Sequence, residues 1–241
     1  MRLFVLALAA MALFAAGAFA DARELNTALL DAARQGDAGE VARLLAEGAS
    51  VKARNRFGNT ALIHATRSGD TETLSLVLDA GGDPNQVNLE KISALTTAAY
   101  DGHGDLVVLL LAHGADAEWT DKTGKSAIVY AAGNGYAEIV AALLDAGIAP
   151  DTRYGNNLTA LMWAAGYGHE AIVALLLQHG AAVDLADDRG RTALMGAISN
   201  GHDGAAHLLI GAGADPKLSD LEGETACTLG ESAEIQTALL C

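Results

Sequence analysis

Apolar residues occur along the chain in pairs of short stretches with helical spacing, separated by glycine-containing turns. In "TALMWAAGYGHEAIVALLLQHGAAVD", residues 159–184, Thr159 precedes a stretch with a small apolar face, which Gly168 interrupts. The second stretch has larger apolar residues on one face and ends at Gly180, a residue type that adopts the left-handed helix cap at low cost. The pattern predicts two short antiparallel helices joined by a tight turn.

This two-helix pattern repeats every 33 residues. A small hydroxyl residue followed by alanine recurs at Thr27, Thr60, Ser93, Ser126, Thr159, Thr192 and Thr225. Glycines follow the first six of these residues at two fixed distances. Such phase-locked spacing predicts an all-α solenoid of about seven helix-turn-helix units joined by β-hairpin-like loops. The expected unit starts lie near residues 22, 55, 88, 121, 154, 187 and 220, with the first and last units acting as caps.

The units resemble ankyrin repeats, whose pattern is D-x-x-G-x-T-P-L-x-x-A-A-x-x-G-H-x-x-I-V-x-L-L-L-x-x-G-A-D. The match is closest in residues 188–202, 109–118 and 175–184, and it extends over about residues 25–241. Alanine replaces the family's proline after every hydroxyl residue, which keeps a good helix former there. The turn glycine before the hydroxyl is replaced by Lys91 and by Asn157. We expect these two hairpins to be less regular than the others.

The N-terminus predicts export. Arg2 precedes an apolar run over residues 3–14, and the Ala-Phe-Ala sequence that ends at Ala20 provides the small residues that signal peptidase requires. We expect cleavage after this alanine, so that residues 1–20 form a signal peptide and residues 21–241 form the repeat domain. The mature protein is then periplasmic or secreted. No later stretch predicts a membrane anchor.

The charge balance limits the kind of partner. The chain has 15 Lys and Arg residues against 30 Asp and Glu residues, a formal net charge of −15. This excess repels nucleic-acid phosphates and anionic lipids, and no basic cluster offsets it. The sequence therefore disfavours nucleic-acid binding, and we expect a monomer whose partner is another protein.

Candidate chemistry is sparse. Five of the seven histidines recur in repeat register, and the ankyrin resemblance implies that His103, His169 and His202 tether the loop between helices. No histidine pair has zinc-protease spacing, and no nucleophile motif or phosphate-binding glycine loop occurs. We expect no catalytic residue, no metal and no cofactor, and the interpretation is that the protein is not an enzyme.

A binding surface remains. The resemblance implies that hairpin tips and first helices line a concave groove in which the repeats are free to differ. The candidate partner-binding residues are Phe57, Arg67, Tyr100, Lys122, Lys125, Tyr154 and Tyr167. We expect Tyr100, Tyr154 and Tyr167 to form an exposed aromatic face, since exposed aromatics often provide interface energy. Tyr130 and Trp163 are expected to fill inward-facing packing positions instead.

Two cysteines, Cys227 and Cys241, lie in the last unit. Cys227 stands where most other units have a core leucine, and antiparallel helices would bring the two cysteines together. An oxidising compartment permits a disulfide between them. The alternative is a buried free thiol that substitutes for leucine, and the sequence leaves both open.

The sequence favours a non-enzymatic scaffold for protein–protein interaction in the periplasm. The resemblance to exported bacterial ankyrin-repeat proteins implies a link to protection against oxidative stress. Two alternatives remain at this point. One is an inhibitor or immunity-type protein that blocks an enzyme, and the other is a secreted effector.

Overall fold

The computed structural model of the protein describes residues 21–230 and residue 236. The predicted signal peptide, residues 1–20, and Cys241 lie outside the described residues. The chain divides into two compact units, with the boundary between Leu89 and Glu90. Each unit is described by itself below.

The described part of the first unit, residues 21–89, contains four helices. Their bounds are residues 21–35 (α1), Ala38–Ala46 (α2), Ala61–Ser68 (α3) and Thr71–Asp79 (α4). Helix α4 packs against both α2 and α3. The side chains that are fully buried in this unit include Leu29, Leu44, Ile63 and Leu74, which form its core.

The first repeat begins differently from the others. Residues 21–26 are already helical, so Thr27 lies inside α1, where its hydroxyl donates to the Arg23 carbonyl oxygen at 2.9 Å. Upstream helical turns already satisfy the backbone N–H groups that a cap would serve. In five later repeats the hydroxyl accepts a hydrogen bond from the N–H three residues on and caps the first helix, namely at Thr60, Ser93, Thr159, Thr192 and Thr225. Ser126 makes no such bond.

The described part of the second unit, residues 90–230 and 236, is also helical, and the predicted all-α class is confirmed. Its helices are Ala94–Asp101 (α5), Gly104–Ala112 (α6), Ala127–Asn134 (α7), Ala137–Asp145 (α8), Ala160–Gly166 (α9), Glu170–Gln178 (α10), Ala193–Ser199 (α11), Asp203–Gly211 (α12) and Ala226–Leu229 (α13). Helices α5, α7, α9, α11 and α13 pack in that order and form an inner row. Helices α6, α8, α10 and α12 form an outer row.

Small side chains let the inner helices approach closely. The inner row buries alanines completely, namely Ala98, Ala99, Ala131, Ala132, Ala164, Ala165 and Ala197. Larger apolar residues of the outer row, such as Leu106, Leu143 and Leu176, close the core from the other side. The apolar periodicity of the sequence therefore corresponds to the buried faces of the helices.

The hairpins between helix pairs have a shared backbone conformation. Two residues before the capping hydroxyl, φ is positive, as in Gly124 at 76°. Lys91 and Asn157 hold the equivalent conformation without glycine, at φ 59° and 57°. In the second case Asn156 is also left-handed, inside a 3-10 turn over Gly155–Asn157. The expected irregularity is therefore present in the hairpin with Asn157, whereas the hairpin with Lys91 keeps the shared conformation, although non-glycine residues rarely adopt it.

Successive hairpin tips are joined by backbone hydrogen bonds, which we call the tip ladder. In the second unit its bonds run from Lys122 N to Glu90 O (3.2 Å), Gly155 N to Gly124 O (3.0 Å), Asp188 N to Asn156 O (3.1 Å) and Leu221 N to Arg189 O (2.9 Å). The tips of neighbouring repeats are therefore joined through main-chain atoms, and side-chain contacts such as Lys122 with Glu90 and Asn157 with Asp188 add to these bonds.

Candidate interaction site

Four aromatic rings and one lysine gather beside helices α5, α7 and α9. We call this group the aromatic cluster; it consists of Tyr100, Lys125, Tyr130, Trp163 and Tyr167. With small parts of Val129, Gly133 and Asn134, these side chains line an open cavity of about 210 Å³. Three consecutive repeats contribute to it, one inner helix each.

The helices place the rings in favourable pairs. Tyr100, near the end of α5, meets Tyr130 of α7 edge to face, with centroids 5.4 Å apart and an interplanar angle of 84°. Trp163 of α9 stacks on Tyr167, the residue that ends the same helix. Their ring centroids are 5.9 Å apart and the interplanar angle is 10°. Both arrangements are ones that aromatic pairs prefer, because they match the quadrupoles of the rings.

Lys125 brings a positive charge to these rings. Its ammonium nitrogen, Nζ, lies 4.6 Å from the Trp163 ring centroid and 5.5 Å from that of Tyr130. Both distances fall within the range of about 6 Å in which a cation is attracted to an aromatic face. The lysine stands in the tip loop just before α7, so the loop delivers the charge to the helix surface.

Asp121 organises that loop, and its carboxylate is 7% exposed. Its Oδ1 accepts hydrogen bonds from Thr123 N (2.7 Å), Thr123 Oγ1 (2.7 Å) and Lys125 N (3.2 Å). Its Oδ2 accepts from the Tyr130 hydroxyl at 2.6 Å. By accepting these four hydrogen bonds, the Asp121 carboxylate fixes both the tip loop and the Tyr130 ring that faces Lys125.

The pKa values of this pair reflect its environment. Burial raises the pKa of the Asp121 carboxyl, but the hydrogen bonds from Tyr130, Thr123 and the loop amides outweigh burial, so its pKa lies below the ordinary value. Burial and the hydrogen bond to Asp121 raise the pKa of Tyr130 to about 12. Asp121 is therefore ionised and Tyr130 neutral near pH 7.

Asp121 was not predicted from the sequence, although the repeat register contains a signal for it. In the first unit, Asn55 and His64 occupy the equivalent positions, and Asn55 Nδ2 lies 3.1 Å from His64 Nε2. Asn55, Asp187 and Asp220 also accept hydrogen bonds from N–H groups two and four residues later. An acidic or amide residue at the start of a loop is thus a recurring loop organiser.

The predicted exposure of the tyrosines is correct for two of three. Tyr100 and Tyr167 are 55% and 56% exposed. Tyr154 is 8% exposed, so its assignment to an exposed face is wrong. It stands one repeat after Asp121, at the loop-start position, where its ring packs inward and its N–H donates to Leu158 O at 2.9 Å. Position in a variable loop did not imply exposure.

Tyr130 and Trp163 pack against neighbouring rings, as expected, but they are not fully enclosed. Both are half-buried, and both line the cavity with Tyr100 and Tyr167. They pack against neighbouring rings and present part of their surface to solvent at the same time. The sequence predicts their positions on the inner helices, but it does not predict the cavity beside them.

The remaining predicted binding residues lie elsewhere. Lys122 is exposed and pairs with Glu90 through Nζ–Oε1 at 3.3 Å, and it does not line the cavity. Phe57 is 55% exposed beneath the Arg56 guanidinium carbon, 4.6 Å from the ring centroid, and Arg67 is exposed. Both belong to the first unit. Their role in binding stays a prediction.

Side chains of the following repeat secure the ends of inner helices near the cluster. Asn134 Nδ2 donates to Tyr100 O at 3.0 Å, and His169 Nε2 contacts Gly133 O at 2.9 Å. The second contact confirms the tether expected for His169. Because other residues hold these helix ends, the exposed rings are not required for that purpose.

Three further features concern metal binding, membrane insertion and disulfide formation. Among the described residues, no group of three or more His, Cys, Asp or Glu side chains is placed to hold a metal ion. None of the helices in this part of the chain is both long and apolar enough to cross a bilayer. Cys227 is disulfide-bonded. Since Cys241 lies outside the described residues, its pairing with Cys227 stays a prediction.

Comparisons with known proteins agree with the geometry. The family description "Ankyrin repeats (3 copies)" matches residues 7–88, 65–154 and 149–220. The human ASB11 ankyrin repeat domain is 28% identical, with 88% of this chain and 96% of that chain covered and a TM-score of 0.81. The ankyrin repeat domain of Bcl-3, a member of the IkappaB protein family, is 25% identical, with 89% and 98% covered and a TM-score of 0.79. No curated protein matches the chain by sequence. The family matches cover most of its length, and the chain belongs to the ankyrin repeat family.

Proposed function

We propose that the protein is a non-enzymatic scaffold that binds a partner protein through the aromatic cluster. Ankyrin repeat domains generally act as scaffolds for protein–protein interactions. The observation that carries the proposal is the pair of tyrosines, Tyr100 and Tyr167, which are more than half exposed beside a half-buried tryptophan. Tyrosine and tryptophan are the residue types that most often dominate interface energies.

The size of the cavity supports a protein partner over a metabolite. Its volume is about 210 Å³ and it is open to solvent. Small-molecule sites commonly enclose roughly 300–1,000 Å³ and bury most of the ligand. A shallow site of this size suits one protruding side chain of a larger surface, with the rings and hairpin tips around it completing the contact.

The charge supports a basic partner. The net charge of −15 attracts positively charged surfaces at long range and raises their association rate. The same charge favours a second candidate function, in which the protein is an inhibitor that covers a basic enzyme surface. Identification of the captured partner separates these two functions.

The compartment and the pathway are part of the proposal and rest on the sequence. Arg2, the apolar run and the small residues before Asp21 support export to the periplasm or beyond. The resemblance to exported bacterial ankyrin-repeat proteins supports a role in protection against oxidative stress. We propose a monomer that works outside the cytoplasm.

The binding experiment uses the mature chain as bait in a periplasmic extract, followed by affinity measurement with each purified candidate. The double variant Tyr100→Ala/Tyr167→Ala should weaken binding by about 30-fold or more, since losing an aromatic hot spot costs about 2 kcal/mol or more. Its helical circular dichroism and melting temperature should stay close to the parent's.

Two exposed apolar residues outside the cluster provide controls. Val108, on the outer helix α6, is 58% exposed, and Leu221, on a hairpin tip, is 80% exposed. Val108→Ala and Leu221→Ala should bind like the parent. Equal binding by the double tyrosine variant and the parent would contradict the proposed site.

A further inference from the structure

We infer that the aromatic cluster recognises the primary ammonium group of a lysine side chain on the partner protein, and that Lys125 occupies this position in the unbound chain. The inference rests on the proposed scaffold function and names the chemical group that the cluster accepts. The partner lysine would displace Lys125 and take its place against the rings.

The cluster already holds a group of this chemistry. Lys125 Nζ lies over two rings at once, those of Trp163 and Tyr130. Tyr100 and Tyr167 complete the wall of the same cavity on either side. Attraction between an ammonium group and the negative face of an aromatic ring increases when several rings surround the cation, and tryptophan is the strongest of them.

No carboxylate competes for the cation inside the cavity. Among the described residues, no acidic side chain lies within ion-pair distance of Lys125. The nearest organised carboxylate, Asp121, is buried, and its two oxygens accept four hydrogen bonds from its own loop and Tyr130. The rings themselves are therefore the recognition element, and the net negative charge of the chain acts only at long range.

Lys125 is a replaceable occupant. Its backbone N–H is fixed to Asp121 Oδ1, but the contacts of its side chain are with the rings. The side chain is half-exposed and has a flexible four-carbon stem, so it can swing out without movement of the loop. At partly exposed sites a cation–ring contact changes affinity by a factor of only about two to five. The other contacts of a protein interface contribute more affinity than this factor, so a partner lysine can displace Lys125.

The test uses a defined probe, Nα-acetyl-lysine-methylamide, titrated into the mature chain. Nα-acetyl-norleucine-methylamide has the same four-carbon side chain but lacks the terminal ammonium group, and it has no charge. Binding is followed by the indole N–H resonance of Trp163. Trp119 serves as an internal reference, since its Nε1 donates to Lys91 O at 2.7 Å and it does not line the cavity.

Three results are expected. The lysine probe should bind about two- to fivefold more tightly than the norleucine probe. Lys125→Met, which keeps an unbranched apolar stem, should bind the lysine probe about two- to fivefold more tightly than the parent, because the internal competitor is gone. Trp163→Leu lacks the indole reporter, so its binding is followed by the backbone N–H resonance of Gly133, which lines the cavity, and should be about two- to fivefold weaker.

Lys122→Met is the matched control. Lys122 belongs to the same loop, but its Nζ pairs with Glu90, so this variant should bind the lysine probe like the parent. If Lys125→Met lowers the melting temperature, Lys125→Gln provides a second neutral variant. It should also bind the lysine probe more tightly than the parent.

Equal binding of the two probes, or no gain from Lys125→Met and Lys125→Gln, overturns the inference. If the tyrosine double variant still loses its partner in that case, the scaffold function stands and only the lysine assignment fails. If the chain binds the lysine probe selectively but the double tyrosine variant binds the partner like the parent, the ammonium site is supported and the proposed protein-binding role of the cluster is overturned.

Discussion

The hydroxyl of Tyr130 donates a 2.6 Å hydrogen bond to the carboxylate of Asp121, nine residues earlier in the chain. The bond joins a tip loop to the inner helix α7 across the edge of the aromatic cluster. Because the same carboxylate binds the N–H of Lys125, one buried group fixes the backbone beneath the cation and one of the rings it faces. The geometry of the cluster thus depends on a residue that does not itself line the cavity.

Asp121→Asn tests this dependence. Asparagine has the same shape but lacks the charge, so it weakens four hydrogen bonds to an ionised acceptor. We expect a loss of about 1.5–3 kcal/mol in the free energy of unfolding at pH 7, the usual range for a bond to a charged group. Urea denaturation followed by circular dichroism measures it. Asp145→Asn, at the exposed end of α8, should change the same quantity by less than about 0.5 kcal/mol.

The loss should also depend on pH. The folded pKa of Asp121 lies below the unfolded value of about 3.9, so its contribution is fully present above about pH 5 and declines as the pH falls through the folded pKa. The gap in unfolding free energy between the parent and Asp121→Asn should therefore shrink under acid. A constant gap from pH 7 to pH 2.5 would mean that the effect is not due to the charge.

Tyr154 should behave as a core residue. Tyr154→Ala removes a buried ring and should cost about 3 kcal/mol or more of unfolding free energy. Tyr154→Phe should change this free energy by less than about 1 kcal/mol, since the buried hydroxyl lies near the Ser126 and Thr152 hydroxyls but makes no hydrogen bond of normal geometry with the described residues. A destabilisation above about 1 kcal/mol in the phenylalanine variant would show that the hydroxyl is needed. Partner binding by this variant should equal that of the parent.

Gly155 should not tolerate a side chain. A Cβ atom there would lie 2.9 Å from Thr123 O, beside the tip-ladder bond between Gly155 and Gly124. We expect Gly155→Ala to cost about 1–3 kcal/mol, the usual range for overpacking. Gly211, at the end of α12, has open space around the same position, so Gly211→Ala should be neutral or stabilising by about 0.5 kcal/mol. Thermal and urea unfolding of the two variants provide the comparison.

Export should remove the leader. N-terminal sequencing of protein from the periplasmic fraction should begin at Asp21 or within a residue or two of it. Ala20→Arg places a large charged residue at the cleavage point and should leave the full-length chain, whereas Phe19→Tyr, between the two small positions, should be cleaved normally. Export would be refuted if all of the protein were found in the cytoplasm with Met1 intact.

The two cysteines should be bridged. Unfolded, unreduced protein from an oxidising compartment should have no free thiol, and two should appear after reduction. From chain entropy, a short closed loop of this kind contributes about 3 kcal/mol. Cys227→Ser should therefore lower the stability of the last repeat. Two reactive thiols before reduction would exclude the bridge.

The sequence predicted the helices well because their signals are local. A capping hydroxyl, an alanine face and a left-handed glycine recur at fixed distances, and each acts within its own repeat. Thr27 shows the limit of this reasoning. The register marks it as a cap, but residues 21–26 are helical, and only the preceding chain determines whether a cap is needed.

The site was predicted less completely because exposure and neighbours depend on packing between repeats. Tyr100 and Tyr167 were assigned correctly to the surface, yet Tyr154 occupies a loop position and is buried. Trp163 lies on an inner helix face that the register predicts to be packed. It nevertheless lines an open cavity together with Lys125 of the preceding repeat. Contacts between side chains from different repeats have no fixed spacing in the sequence.

The tip ladder has a consequence for how such a surface changes over evolutionary time. Its bonds connect only N–H and carbonyl groups, from Glu90 to Leu221, so they can form whichever side chains the exposed tip positions have. Substitutions there can alter what the protein recognises while the fold is retained. The constrained positions are Gly155, where a Cβ atom would meet Thr123 O, and the buried residues Asp121 and Tyr154, and the exposed tip positions are free to acquire new specificity.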